Sequence, residues 1–316
     1  AVAWLERRPL TVSEDRVLVC PGVQSALLAV LGNLARPGDV VLCEALTYPG
    51  LRAIAGQLGL RLVGVPLDDD GIDPDALAKL CAEHHPKALY CNPVLLNPAA
   101  VTLSDERRHR VVQIARRHNL PIIEDDAYGL LPSHRPPALA ALAPELTYYL
   151  CGFSKSLGAG LRIAYLALPS ARLRSRLAVT LRATTVMASP ITAALAACWV
   201  QDGTADLALT LTRRESQARQ ELVAEILAGA DYRSHPEAFH VWLRMPPAWS
   251  RVAFAARLRA QGINVVVSDA FAVNGKPPEA VRLCLGGPAS RQDLGQALHV
   301  IADALQQPGA ASAGFF

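Results

Sequence analysis

Cys151-Gly152-Phe153-Ser154-Lys155-Ser156-Leu157-Gly158-Ala159-Gly160-Leu161-Arg162 is the stretch from which the fold and chemistry of this 316-residue chain can be read. Its lysine follows an apolar run of strand character, Tyr148-Tyr149-Leu150, and is hemmed in by small residues. Its arginine, seven positions on, stands at the edge of a second apolar run, 163–168. An amine in a crowded, partly apolar setting can condense with an aldehyde, and a nearby guanidinium can grip a phosphate with two hydrogen bonds. One cofactor, pyridoxal 5′-phosphate, carries both groups. A lone Ser-Lys is more often a surface lysine, so the reading depends on its surroundings.

On both sides of this stretch, short β-branched runs alternate with amphipathic helical patterns. Strands are predicted over 16–20, 40–43, 61–65, 88–91, 121–124, 147–150 and 162–168, and helices over 24–34, 51–58, 74–83 and 105–118. Asp73-Pro74 and Ser104 supply start signals for the last two helices. This alternation predicts an α/β fold with a mostly parallel, seven-stranded sheet covered on both faces. Beyond Ala171 the pattern turns helical, over 171–184, 190–201 and 206–227. It then becomes α+β: a strand at 240–244, a helix at 250–261, strands at 263–267 and 281–285, a closing helix at 291–306 and a frayed tail over 308–316. The expected division is a large domain over 1–205 and a smaller C-terminal α+β domain over 206–316.

Composition narrows the function. Half of the chain is apolar and 19% is charged, which argues for a packed globular enzyme and against disorder. A net charge of +3, with arginines spread along helices, argues against nucleic-acid binding by these residues. Apolar runs stop short of membrane-spanning length, and no signal peptide is visible. The seven cysteines are odd in number and form no CxxC pair. The expectation is reduced, buried thiols in a cytoplasmic protein with no metal site.

In open α/β sheets, ligands bind beyond the carboxyl ends of the strands. The residues there are informative. Pro21-Gly22-Val23-Gln24-Ser25 joins the first strand to the first helix, where free N–H groups and the Ser25 hydroxyl can meet an anion, or where an ordinary turn suffices. Tyr48 can stack on a flat ring or pack on the core. In Asn92-Pro93-Val94-Leu95-Leu96-Asn97-Pro98, each proline keeps its asparagine extended, so that an amide can point into a cleft. Glu124-Asp125-Asp126 ends a strand with three mutually repelling carboxylates, which a protonated pyridine nitrogen would relieve. An acidic solvated loop and a Mg²⁺ site are the alternatives. Tyr128, three residues after Asp125, can place its hydroxyl near a ring substituent. No strand is followed by GxGxxG, Asp68-Asp69-Asp70-Gly71 lacks the twelfth-position glutamate of a calcium loop, and His84-His85 reads as a polar helix end.

Gly22 to Ser25, Tyr48, Asn97-Pro98, Asp125-x-x-Tyr128, Ser154-Lys155, Arg162 and Arg282 follow one another along nearly the whole chain. In that order they resemble the fold-type I, aspartate aminotransferase-like, pyridoxal-phosphate-dependent aminotransferases of class I/II. The resemblance implies that Lys155 bonds the cofactor aldehyde, Asp125 pairs with the pyridine nitrogen, and Tyr128 and Asn97 meet the ring oxygen. It further implies that Tyr48 stacks on the ring, that Gly22, Val23, Gln24, Ser154 and Arg162 surround the phosphate, and that Arg282, with Asn97, holds the substrate α-carboxylate. Two departures stand out. Gly152 replaces a common Ser or Thr that would supply a phosphate hydroxyl, and relatives have further residues before the equivalent of Ala1 that complete the small domain.

Glu124 to Gly129, Met187-Ala188-Ser189-Pro190, Trp199 with Asp202 to Ala205, and His240-Val241-Trp242-Leu243 are similar to the aminotransferase-like half of MocR-type regulators of the GntR superfamily. No helix-turn-helix is evident, so any DNA contact is expected from a winged helix upstream of Ala1. Two functions are carried forward: an aminotransferase acting on amino acids and 2-oxo acids, and an effector-sensing domain of a transcriptional regulator. A lyase on the same scaffold is a third. The resemblance also implies a homodimer.

Overall fold

The computed structural model describes residues 1–307; the predicted frayed tail over 308–316 lies outside the described residues. The chain opens with α1 (Val2–Leu5), β1 (Val17–Cys20), α2 (Val23–Leu34), β2 (Val40–Glu44), α3 (Pro49–Gln57) and β3 (Arg61–Val65). A small hairpin, β4 (Leu67–Asp68) and β5 (Gly71–Ile72), precedes α4 (Pro74–His84), β6 (Ala88–Cys91), α5 (Asp105–Arg117), β7 (Ile122–Asp125), α6 (Leu139–Leu142), β8 (Thr147–Gly152) and β9 (Ala164–Ala167). Three helices follow, α7 (Arg172–Thr185), α8 (Pro190–Gln201) and α9 (Thr204–Ile226). The remainder is β10 (Tyr232–Arg233), β11 (His240–Arg244), α10 (Arg251–Arg259), β12 (Val266–Val267), β13 (Ala280–Cys284) and α11 (Arg291–Gln306).

Seven strands form one sheet in the order β1-β9-β8-β7-β6-β2-β3, parallel throughout except where β9 runs against β1 and β8. Its strands read as unbroken apolar runs because both faces are covered. Val41, Cys43, Tyr90 and Ile123 meet Leu27, Val30 and Leu31 of α2 and Leu177 and Leu181 of α7. Their neighbours Leu42, Leu89, Cys91 and Ile122 turn the other way, onto Leu77 of α4 and Val111 and Ile114 of α5. Each fully buried Leu or Val contributes roughly 1.5–3 kcal/mol. Capping follows the sequence signals: Asp73 accepts from the amides of Asp75 and Ala76, and Ser104 from that of Arg107. Helix α4 stops at His84 because His85 is left-handed (φ 45°).

A second, antiparallel sheet, β10-β11-β13-β12, packs its own core with Phe254 and Leu258 of α10 and Leu294, Leu298 and Ile301 of α11. Helix α9 serves both cores, with Ala205 and Leu209 packed near the large sheet and Val223 and Leu227 against the second.

Three differences from expectation have local causes. The strand expected at 162–168 is only Ala164–Ala167, because Gly158 and Gly160 admit a 3₁₀ turn at Ala159–Leu161 and Arg162 then takes a left-handed conformation (φ 51°). The Asp68–Gly71 acidic run forms the tip of the β4–β5 hairpin, with Arg107 on Asp68. Five cysteines are buried, but Cys198 and Cys284 are exposed, on the outer face of α8 and at the end of β13; all seven are free. No helix among the described residues is long and apolar enough to cross a membrane.

Candidate active site

A cavity of about 350 Å³ opens at the carboxyl ends of β6, β7 and β8. It gathers side chains from five separate stretches. Val23 and Gln24 come from the start of α2, Tyr48 from the start of α3, Asn97 from the loop after β6, Asp125 and Tyr128 from the end of β7, and Ser154, Lys155 and Arg162 from the loops around β8. Arg282 reaches it from β13 of the second sheet. Gly22 lies just behind, so the residues singled out from the sequence, Ser25 excepted, meet at this one place. Three residues not singled out, Tyr90, Ala127 and Ala159, also line it.

Gly22 caps α2 with φ 94°, and a methyl group there would lie 2.9 Å from the Arg162 guanidinium. The arginine therefore rests against the bare backbone at the helix N-terminus, where N–H groups and the helix dipole favour an anion. Ser25 does not join them: its hydroxyl turns back to the Pro21 carbonyl (3.4 Å). Gly152 has a reason in this structure too. A side chain there would come within 2.8 Å of the Val23 Cγ2, so Val23 occupies the space that a Ser or Thr would need.

The pleat separates the three carboxylates. Asp125 follows Ile123 onto the cavity face, while Glu124 and Asp126 point the opposite way. Glu124 is fully buried, accepts from the amides of Leu139 (2.9 Å) and Ala140 (2.8 Å) at the start of α6, and lies 3.8 Å from Arg108. Asp126 pairs with buried Arg8 (2.7 Å) and accepts from the Tyr149 hydroxyl (2.6 Å). The acidic-loop and Mg²⁺ readings fail on this geometry, because the carboxylates are buried and diverge. Among the described residues no group of three or more His, Cys, Asp or Glu is placed to hold a metal ion. Two arginines compensate two of the charges, and only Asp125 is left facing the cavity.

Asp125 is 4% exposed and accepts from the Tyr90 hydroxyl (2.8 Å) and the Ala127 amide (3.3 Å). Burial pushes its carboxyl up to about 6, with the Tyr90 bond working against that rise. Asn92 braces the site: its amide donates to the Asp125 carbonyl (2.6 Å), its side-chain oxygen accepts from the Asn97 amide (3.0 Å), and its own N–H donates to buried Glu44 (2.5 Å). Burial raises the Glu44 carboxyl to about 7.

Lys155 follows β8 in a 3₁₀ turn, its Nζ 5.8 Å from the centre of the Tyr128 ring. It is exposed and lines the cavity rather than being crowded. Arg282 donates to Asn97 Oδ1 (2.8 Å), lies over the Phe271 ring at 5.2 Å, and keeps a buried Nε with no partner. Behind Tyr128 sits His240, which burial lowers to about 4, against the Leu96 carbonyl at 3.3 Å. Tyr90 and Asn92 carried a faint sequence signal, lying on or just past the strand beside β7. Arg8 carried none, being 118 residues from Asp126.

Known proteins share this fold. The α-aminoadipate aminotransferase of Thermus thermophilus, solved with N-(5′-phosphopyridoxyl)-L-leucine, superposes with a TM-score of 0.84 at 25% identity, over 92% of this chain and 77% of that one. An archaeal alanine:glyoxylate aminotransferase gives 0.86 at 26% identity, over 96% and 78%. In sequence, the chain is 31% identical to the uncharacterized HTH-type transcriptional regulator YdeF of Bacillus subtilis, over 95% of this chain and 65% of that protein. It is 27% identical to the 2-aminoadipate transaminase of T. thermophilus, over 89% and 72%. The chain spans between 57% and 65% of the length of four HTH-type regulators of Bacillus subtilis and Escherichia coli among those it matches. Residues 3–301 fit the profile described as aminotransferase class I and II, on the same fold and with the polar cavity built where that fold places ligands, and the chain belongs to this family.

Proposed function

We propose that this chain is a pyridoxal-phosphate-dependent aminotransferase domain, moving an amino group between an amino acid and a 2-oxo acid. The observation that carries the reading is the convergence of Lys155, Asp125, Arg162 and Arg282 on one cavity. The family implies the cofactor, and the residues present fit it: one uncompensated buried carboxylate, one arginine against a helix N-terminus, and one accessible amine.

Gly22, Val23, Gln24, Ser154 and Arg162 would hold the phosphate, Tyr48 the ring face, and Asn97 and Tyr128 the ring oxygen. Asp125 would keep a proton on the ring nitrogen. When bound, the cofactor supplies an electron sink for the bonds of the substrate α-carbon. Lys155, within the same cavity, is placed to move the α-proton. Arg282 orients the substrate by its α-carboxylate, with Asn97 fixing the guanidinium. Catalytic roles fall to Lys155, Asp125 and Tyr128.

A second reading rests on the HTH-type relatives: the same site senses an amino acid, and the response passes to a DNA-binding domain elsewhere in a longer protein. Both readings place the protein in the cytoplasm, as seven free thiols favour. A homodimer is part of the proposal, supported by the exposed apolar Val186, Met187 and Ile191 beside α8. The boundary between a large and a small domain is placed at 205/206.

Borohydride reduction followed by peptide mapping is expected to find a pyridoxyl group on Lys155, and Lys155→Ala to lose the visible absorbance of the bound cofactor. An unlabelled Lys155 overturns both readings. Release of more than one 2-oxo acid per site, on adding an amino acid together with an acceptor 2-oxo acid, distinguishes turnover from sensing.

A further inference from the structure

Tyr90 has no part in the residue pattern that led to the site, yet it sits inside it. Its strand neighbour is β7, in the register Tyr90 to Ile123, so the pleat turns Tyr90 and Asp125 to the same face. The Tyr90 side chain is fully buried and lines the cavity, and its hydroxyl lies 2.8 Å from Asp125 Oδ2. The other oxygen, Oδ1, has only the longer bond from Ala127. A fully buried phenol whose hydroxyl is committed to one carboxylate oxygen leaves the second oxygen to the cavity.

We propose that Tyr90 is a positioning residue for Asp125: its hydroxyl aims the carboxylate into the cavity and stabilises the anion that faces the cofactor ring nitrogen. The inference rests on the proposed cofactor reading and deepens it. A hydrogen bond to a charged acceptor inside a protein is stronger than a neutral one, and losing it leaves the charge less solvated. Apart from the Ala127 amide and Lys155, the ionisable groups around Asp125 are unfavourable to the anion. Glu44 from β2, Cys91 from β6, Tyr48 before α3, Tyr128 and Asp126 each disfavour its negative charge or are disfavoured by it, and Lys155 offers an opposing charge. Among the described residues, Tyr90 is the one side chain that donates to the carboxylate.

Tyr90→Phe removes this hydroxyl and little else. The test compares the affinity of wild type and variant for pyridoxal phosphate and for its analogue with carbon in place of the ring nitrogen, by equilibrium dialysis from pH 5 to pH 9. Wild type is expected to prefer the nitrogen ring above about pH 6, the region where Asp125 ionises. In Tyr90→Phe the pH at which that preference appears is expected to rise by about one to two pH units, while affinity for the carbon analogue changes less than about threefold. Urea unfolding checks that the variant is folded. An unchanged onset, or equal losses for both ligands, overturns the inference and leaves the cofactor reading standing. Failure of wild type to bind either ligand overturns the cofactor reading itself.

Discussion

Arg282→Met isolates the substrate grip from the cofactor grip. The guanidinium holds Asn97 Oδ1 at 2.8 Å and rests 5.2 Å over Phe271, on the lining of the cavity. A substrate carboxylate is the group that would complete this set. Methionine keeps an unbranched stem against Phe271, so the fold loses the hydrogen bond to Asn97 and the cation–π contact, the latter about 0.5–1 kcal/mol. Binding loses charge-assisted hydrogen bonds worth about 1.5–3 kcal/mol each, and a pair of them amounts to about 3–6 kcal/mol. At about 1.4 kcal/mol per factor of ten, amino-acid affinity is expected to fall by about two to four powers of ten. Arg282 stands across the cavity from Arg162 and the start of α2, on a strand of the second sheet, so cofactor affinity should change less than about threefold. Titrating the holoprotein with amino acids, followed by the cofactor's visible absorbance, measures the first quantity, and equilibrium dialysis of pyridoxal phosphate the second. Equal losses in the two, or no loss of amino-acid affinity, would refute the assignment.

Two further perturbations probe the scaffold. Glu44 is a buried acid raised from 4.5 to about 7, so its contribution to stability is fully present below pH 4.5 and is lost as pH rises through 7. Moving from pH 4.5 to pH 8, Glu44→Gln should gain on the order of 3 kcal/mol over wild type in urea unfolding; a pH-independent difference would show that Glu44 is not a buried titrating acid. Gly22→Ala combines a left-handed backbone position with a methyl group 2.9 Å from Arg162, and should weaken pyridoxal phosphate binding about tenfold. Gly38→Ala bears a similar backbone penalty (φ 89°) with nothing within 4 Å, and dialysis should show its cofactor affinity unchanged; matching losses would mean that strain alone acts.

Much of this molecule could be read along the chain. Apolar runs of strand length separated by amphipathic stretches are local facts, and so are the Asp73 and Ser104 caps; both sheets and most helices followed from them. The polar residues after each strand were legible for the same reason, since a parallel sheet sends them all to one end. The strand expected at 162–168 begins two residues later, at Ala164, because Arg162 takes a left-handed conformation after a 3₁₀ turn, a choice that only the packing makes.

From the sequence alone came the order of elements, the side chains able to do the chemistry, and the kinship that links Lys155 to Arg282. Three adjacent carboxylates, however, are equivalent on paper. Which of them faces the cavity depends on the pleat phase of β7, and which are neutralised depends on Arg8 and Arg108, brought in from far along the chain. Charge compensation acts through space, over distances that sequence spacing does not encode, so only the folded chain could single out Asp125 and place the Tyr90 hydroxyl against it.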